Sequence, residues 1–301
     1  MTAPRSAARG LAAGTTAFAI WGLFPLYLHP LSGVPATQVI AHRIAWSCLF
    51  LLGWMLLRGE LGRLTATLTN PRLLSRLALT ALLISGNWLV YVWSVTHEHI
   101  VETSLGYYIN PLVNVVLGVV VLRERLNRAQ WLAVALAAIA VGYLTVLTGG
   151  PPWIACTLAL SFSLYGFVRK VISVEALPGL ASETLLLAPL AVAYLGWCQA
   201  AGTGALGTGA AGISALLIGS GLVTAIPLLL FAYGARRLPY STVGVLQYIA
   251  PSLQLMCGVL VYHERFGLER GVGFAIIWAA LLIYAADGLW RARGALRVQR
   301  A

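Results

Sequence analysis

Ten runs of about 20 predominantly apolar residues follow one another along this chain with only short connections between them, and that spacing decides its solvent. The runs cover 10–28, 36–57, 73–95, 101–122, 129–148, 152–171, 180–200, 212–234, 241–262 and 270–290. Each is long enough to cross roughly 30 Å of hydrocarbon as a helix, which satisfies its own backbone N–H and C=O groups. The chain therefore reads as an all-α integral membrane protein of ten transmembrane helices. Of its 301 residues 59% are hydrophobic and 10% charged, whereas about a quarter are charged in a soluble domain. No connection is long enough to be a soluble domain in its own right. Arg5 and Arg9 before the first run resemble the start of a signal peptide. The run continues through Trp21 and Pro25 without a convincing cleavage site, and it reads as an uncleaved first span. Cys48, Cys156, Cys198 and Cys257 all lie in apolar runs without paired spacing, as small buried hydrophobes do.

The formal net charge of +11 does not describe a nucleic-acid binder, because the basic residues stand in small clusters between apolar runs. With the N-terminus in the cytoplasm, the inner connections and ends hold 17 of the 20 Lys and Arg residues. The outer ones hold Arg265 and Arg270, and Arg43 is left within a span. That bias predicts both termini on the cytoplasmic side of the cell membrane, with 291–301 as a basic cytoplasmic tail.

An internal repeat divides the runs. At a constant offset of 140, Tyr108, Ile109, Pro111 and Gly118 coincide with Tyr248, Ile249, Pro251 and Gly258, and Glu124-Arg125 coincides with Glu264-Arg265. The fourth and ninth runs thus correspond, and five spans per half force the halves, 1–148 and 149–290, into opposite orientations. Inverted repeats of this kind place substrate near the bilayer midplane between the halves. Pro111 and Pro251 are expected to kink their helices and free carbonyls toward protein or a water-filled cavity. Pro25, Pro189 and Pro227 are weaker instances of the same signal.

Several stretches carry a family likeness over nearly the whole chain: Phe18-Ala-Ile-Trp-Gly-Leu-Phe-Pro25, His42-Arg43-Ile-Ala-Trp46-Ser47, Gly86-Asn87-Trp88, Glu102 through Leu112, Ser163 through Lys170, Glu183-Thr184 and Gln247-Tyr-Ile-Ala-Pro251. With them the chain resembles the RarD-like branch of the EamA family, in the drug/metabolite transporter superfamily. The resemblance implies a ten-helix carrier with two EamA-type halves. It also implies a central cavity lined by the first, third, fourth, sixth, eighth and ninth spans.

Arg43 is the sharpest single residue. An ionised side chain about seven residues into a span costs several kcal/mol unless it is paired or solvated. It is a candidate for capturing a substrate carboxylate or phosphate, against an ion pair or snorkelling to the interface as the structural alternatives. Asn87, Trp88, Tyr107, Tyr108, Asn110, Gln247 and Tyr248 are the other substrate-binding candidates, as in-span amides and an aromatic wall. His42 and Glu102 are the candidates for proton coupling, although His42 points about 100° away from Arg43 and suits a packing role. Glu183 is the counterpart of Arg43 at the same offset, at mirrored depth, so direct pairing of the two is not expected. Asn114 and Gln254 are a further matched pair, Asp287 reads as interfacial, and Trp93 suits an interfacial aromatic belt.

No phosphate-binding loop, nucleophile triad or paired catalytic carboxylates occur, and His97-Glu98-His99 has no further ligand beside it. The expectation is a non-enzyme with no cofactor and no metal, whose partners are a small-molecule substrate and the lipid bilayer. Small residues around Ala133 to Ala140 suit close packing within the bundle or in a homodimer. The favoured function is secondary transport by alternating access, exporting a small metabolite, amino acid or drug-like compound. The alternatives are a non-transporting sensor or assembly protein and an intramembrane lipid-modifying enzyme.

Overall fold

The computed structural model describes residues 3–122, 126–148, 151–207, 211–235, 237 and 246–298, and among them it is helical throughout, with no strand. The helices are α1 (Ala3–Gly22), α2 (Phe24–Leu28), a 3-10 turn (His29–Leu31), α3 (Ala36–Leu57), α4 (Leu61–Leu68), α5 (Pro71–Thr96), α6 (Ile100–Leu122) and α7 (Arg128–Thr148). They continue as α8 (Trp153–Val171), α9 (Ala176–Ala200), α10 (Ala211–Ala235), α11 (Ile249–Met256) and α12 (Leu268–Val298). Helices α3, α5, α7, α9 and α10 are each long and apolar enough to cross a membrane. The stretches 8–22 and 24–31 are long and apolar enough to cross only if taken together, and they are bent by 46° where Pro25 opens the first turn of α2. The first apolar run is thus two helical pieces and not one straight span. The polar connection after α3 is likewise partly helical, as α4.

Local chemistry starts several of these helices. The Asn70 side chain accepts from the Leu73 N–H at 3.2 Å, and Pro71 follows where a missing N–H costs nothing. Long-range carboxylates cap two others. Glu264 accepts from the Ile100 and Val101 N–H groups at 2.6 and 2.8 Å, and Glu102 accepts from the Ile154 N–H at 3.2 Å. Both place negative charge at the positive end of a helix.

Close packing rests on small residues, as expected where lipid supplies no hydrophobic drive between helices. A Cβ on Gly106 would meet the Ala155 carbonyl oxygen at 2.9 Å, so α6 and α8 touch backbone to backbone. A Cβ on Gly221 would come within 2.5 Å of the Trp46 carbonyl carbon, which sets α10 directly against α3. The fifth-run alanines settle against α12: Ala133, Ala137 and Ala140 are buried with Phe274, Ile277 and Ala280. The opposite side of α7 exposes Trp131, Ile139 and Val146, a lipid-facing pattern.

The ninth run departs from a regular helix. Its residues 241–245 lie outside the described residues. Gln247 and Tyr248 form a turn, and Pro251 follows in the first turn of α11 and not within a continuous helix. A π-helical turn, Cys257–Val261, ends the segment. Pro111 lies within the bounds of α6, and Glu124 and Arg125 lie outside the described residues.

Candidate functional site

Arg43, in the N-terminal half of α3, is 3% exposed and is the only buried Lys or Arg among the residues whose side chains are described. Its Nε donates to the Thr224 hydroxyl on α10 at 3.0 Å, and that hydroxyl in turn donates to the Ser220 carbonyl at 2.8 Å. The guanidinium carbon sits 4.7 Å from the Trp88 ring centre and 5.5 Å from that of Phe24. Cation–π contacts of this kind contribute about 0.5–2 kcal/mol each. Phe24 leads to Tyr91, centroids 6.4 Å apart, and Tyr91 to Tyr107 at 5.9 Å. Tyr27, Tyr91 and Tyr107 lie within the electrostatic reach of Arg43. Gln254 of α11 donates to the Tyr91 hydroxyl at 3.4 Å and to the Trp21 carbonyl at 3.2 Å. Arg43 has no carboxylate partner among the described residues, and its Nη1 is buried without a hydrogen bond. A guanidinium held between one hydroxyl and several π faces is desolvated more fully than it is compensated.

Glu183, in the N-terminal half of α9, is 1% exposed and belongs to a separate cluster. It accepts from Thr80 at 2.7 Å and from Tyr165 at 3.3 Å, and Arg169 Nη1 lies 3.6 Å from its carboxylate. This carboxylate draws partners from α5 and α8 and makes no pair with Arg43.

The sequence candidates therefore separate. Arg43, Trp88 and Tyr107 share one site. Asn87, the neighbour of Trp88, turns the other way and donates to the Leu158 carbonyl at 3.1 Å and Ser161 at 2.9 Å on α8. Asn110 is likewise taken up by α8, accepting from Ser163 at 2.5 Å. Tyr108 shares a 2.7 Å hydrogen bond with Ser252 and packs on Phe274 and Trp278, in the cluster that also holds Tyr248. Neighbouring residues on a helix diverge by about 100°, so Tyr107 and Tyr108 serve different surroundings. Gln247 lies in the break before α11. Glu102 is engaged as the cap of α8, and His42 is buried with its Nδ1 unbonded. Trp93 stacks on His97 at 4.6 Å, and Asp287 accepts from Asn127 at 2.6 Å.

Phe24, Tyr91 and Thr224 around Arg43, and Thr80 and Tyr165 around Glu183, were not singled out as binding residues by sequence reasoning. Each is an ordinary in-span residue whose role depends on which neighbour it faces. A surface hollow of about 540 Å³ lined by Ala66, Thr69, Asn70, Pro71 and Arg72 lies at the α4–α5 connection, away from both charged clusters.

Apolar helices packed through small residues around a few buried charges define a multi-pass membrane protein. The comparisons with known proteins give its family. Residues 8–146 match the EamA-like transporter family. The chain is 46% identical to the Streptomyces exfoliatus protein RarD over 97% of this chain and 93% of that one. It is 42% identical to an uncharacterized transporter of Vibrio cholerae over 98% of both. A solved crystal structure superposes with a TM-score of 0.60 at 19% identity, over 91% of this chain and 96% of that one, a likeness of fold alone. The chain belongs to the EamA-like transporter family, in its RarD-like branch. It is a membrane transporter.

Proposed function

We propose that the protein is a secondary transporter of the cell membrane that exports a small metabolite, amino acid or drug-like compound by alternating access, with the Arg43 cluster as its substrate site. One observation carries this reading: a buried guanidinium on α3 without a counter-ion among the described residues, surrounded by side chains from α2, α5 and α10. A structural arginine would be expected to have a carboxylate partner, as Arg169 does.

Ten spans in two inverted halves, with both termini cytoplasmic, are part of the proposal, and helix packing supports it. With the spans numbered in order, exchanging the halves maps the α1–α10 contact onto α8–α5, α6–α8 onto α11–α1, and α3–α10 onto α9–α5. The α3–α9, α6–α11 and α7–α12 contacts each join a helix to its own counterpart. Arg43 and Glu183 occupy matched positions in that scheme, each bonded to the helix across the two-fold. Rocking of one half against the other would expose the Arg43 cluster to one side at a time.

Counterflow in proteoliposomes tests the reading. Purified protein preloaded with an unlabelled candidate solute should accelerate entry of the labelled solute, with no ATP present. Protein that exchanges no solute and instead turns over a lipid would replace transport with the enzyme alternative.

A further inference from the structure

We propose that the Arg43 site takes a small organic anion through a single carboxylate, whose oxygens complete the hydrogen bonding of the guanidinium; the inference rests on the transport reading above. Three features lead there. First, the side chain is held before any ligand arrives, since Nε is fixed by Thr224 and the ring of Trp88 lies 4.7 Å from the guanidinium carbon. A guanidinium with one edge anchored and its face against a ring offers its remaining N–H groups to a planar acceptor, and a carboxylate matches that fork. Second, Nη1 is buried with no partner, so this unmet donor lies inside the protein and not at an interface where lipid headgroups or water reach it. Third, the site carries one formal charge. Among the described side chains no second Lys or Arg is buried, and Arg169 is committed to Glu183. A single positive charge neutralises a monoanion, whereas a phosphate dianion would be left with a buried charge uncompensated.

The rest of the wall sets what is attached to the carboxylate. Phe24, Trp88, Tyr91 and Tyr107 surround the guanidinium with aromatic rings. That lining favours a flat or aliphatic body over a heavily hydroxylated one. The contrast with Glu183 strengthens the assignment. At the matched position of the other half the buried charge has three partners, so this fold compensates a charge at that depth where none is to be supplied from outside.

The test is a thermal-shift and equilibrium-binding series on the full-length protein in detergent. The probes are phenylacetate, benzoate and hexanoate, with phenylacetamide, phenethylamine and phenyl phosphate as matched comparisons. At least one carboxylate should stabilise and bind the wild type, with the amide and amine of the same skeleton showing no shift. Arg43→Gln should bind that carboxylate roughly 10- to 100-fold more weakly, the range for loss of a hydrogen bond to a charged partner. Arg43→Lys, which keeps the charge and loses the fork, should fall between. Absence of carboxylate binding to wild type, equal binding of the amide or amine, undiminished binding to Arg43→Gln, or tighter binding of phenyl phosphate would each overturn the proposal. Its failure is separable from failure of the transport reading. A neutral or cationic solute that exchanges in proteoliposomes leaves transport standing without the anion. A carboxylate that binds through Arg43 and never exchanges leaves the anion site standing without transport.

Discussion

Removing the guanidinium of Arg169 isolates the worth of the Glu183 cluster. The Glu183 carboxylate is 1% exposed and the Arg169 side chain 15%, with 3.6 Å between them. Breaking a buried pair by deleting one partner costs about 3–5 kcal/mol, because the remaining charge stays desolvated. Thr80 and Tyr165 still donate to the carboxylate at 2.7 and 3.3 Å. Each such bond returns about 1 kcal/mol of the loss, which brings the expected cost of Arg169→Met to about 1–3 kcal/mol. The Arg63–Glu175 pair is the internal reference. It is closer, at 3.2 Å, but its side chains are 58% and 51% exposed, so Arg63→Met should cost under about 1 kcal/mol. Gly179 supplies a gentler perturbation that removes no charge. A Cβ there would fall 2.0 Å from Arg169 Nη1 and 2.6 Å from its guanidinium carbon, so Gly179→Ala must push the arginine out of the pair. It should reproduce much of the Arg169→Met effect, and adding Glu183→Leu to Arg169→Met should recover part of it, since no unpaired carboxylate remains. Unfolding by SDS titration in mixed micelles measures all four. If Arg169→Met costs no more than Arg63→Met, the buried pair does not stabilise the bundle and the reasoning fails.

Gly221→Ala would force its Cβ into the Trp46–Ser47 backbone, 2.5 Å from the Trp46 carbonyl carbon and 2.7 Å from the Ser47 nitrogen; it should cost about 1–3 kcal/mol in the same titration, while Gly142→Ala, with open space around it, should be near neutral. Glu264→Ala should untie the first turn of α6, at about 1 kcal/mol, and speed amide hydrogen exchange at Ile100 and Val101. Burial also pushes the Glu264 carboxyl above the usual glutamate range, against the opposing pull of those backbone hydrogen bonds. The folded protein then takes up this proton at higher pH than the unfolded chain, so melting curves should show wild type gaining on Glu264→Gln as pH falls through that range. Without ligand, Arg43→Gln should melt no lower than wild type, because it removes a buried charge that no carboxylate among the described residues neutralises; a clear drop would make Arg43 structural.

Much of this protein is legible in the order of its residues because the bilayer imposes a length and a polarity on each segment. Ten apolar runs, the clustering of Lys and Arg in alternate connections, and the 140-residue offset are one-dimensional signals, and no knowledge of neighbours is needed to read them. Arg43 stands out for the same reason, as a charge where hydrocarbon is expected. The partners of that charge do not stand out. Phe24, Tyr91 and Thr224 are unremarkable along the chain, and they meet Arg43 only because α2, α5 and α10 converge on α3 at that depth. The same convergence sends Asn87 and Asn110 to α8 and Tyr108 to Ser252, away from residues one position along. It also decides that Glu102 caps a helix and Glu183 finds an arginine. The sequence by itself determined that the chain resides in a membrane and that Arg43 places a charge inside an apolar run. The tertiary structure decided which side chains surround that charge, because a 100° step per residue leaves neighbours in sequence facing different helices, and only packing says which helix each one meets.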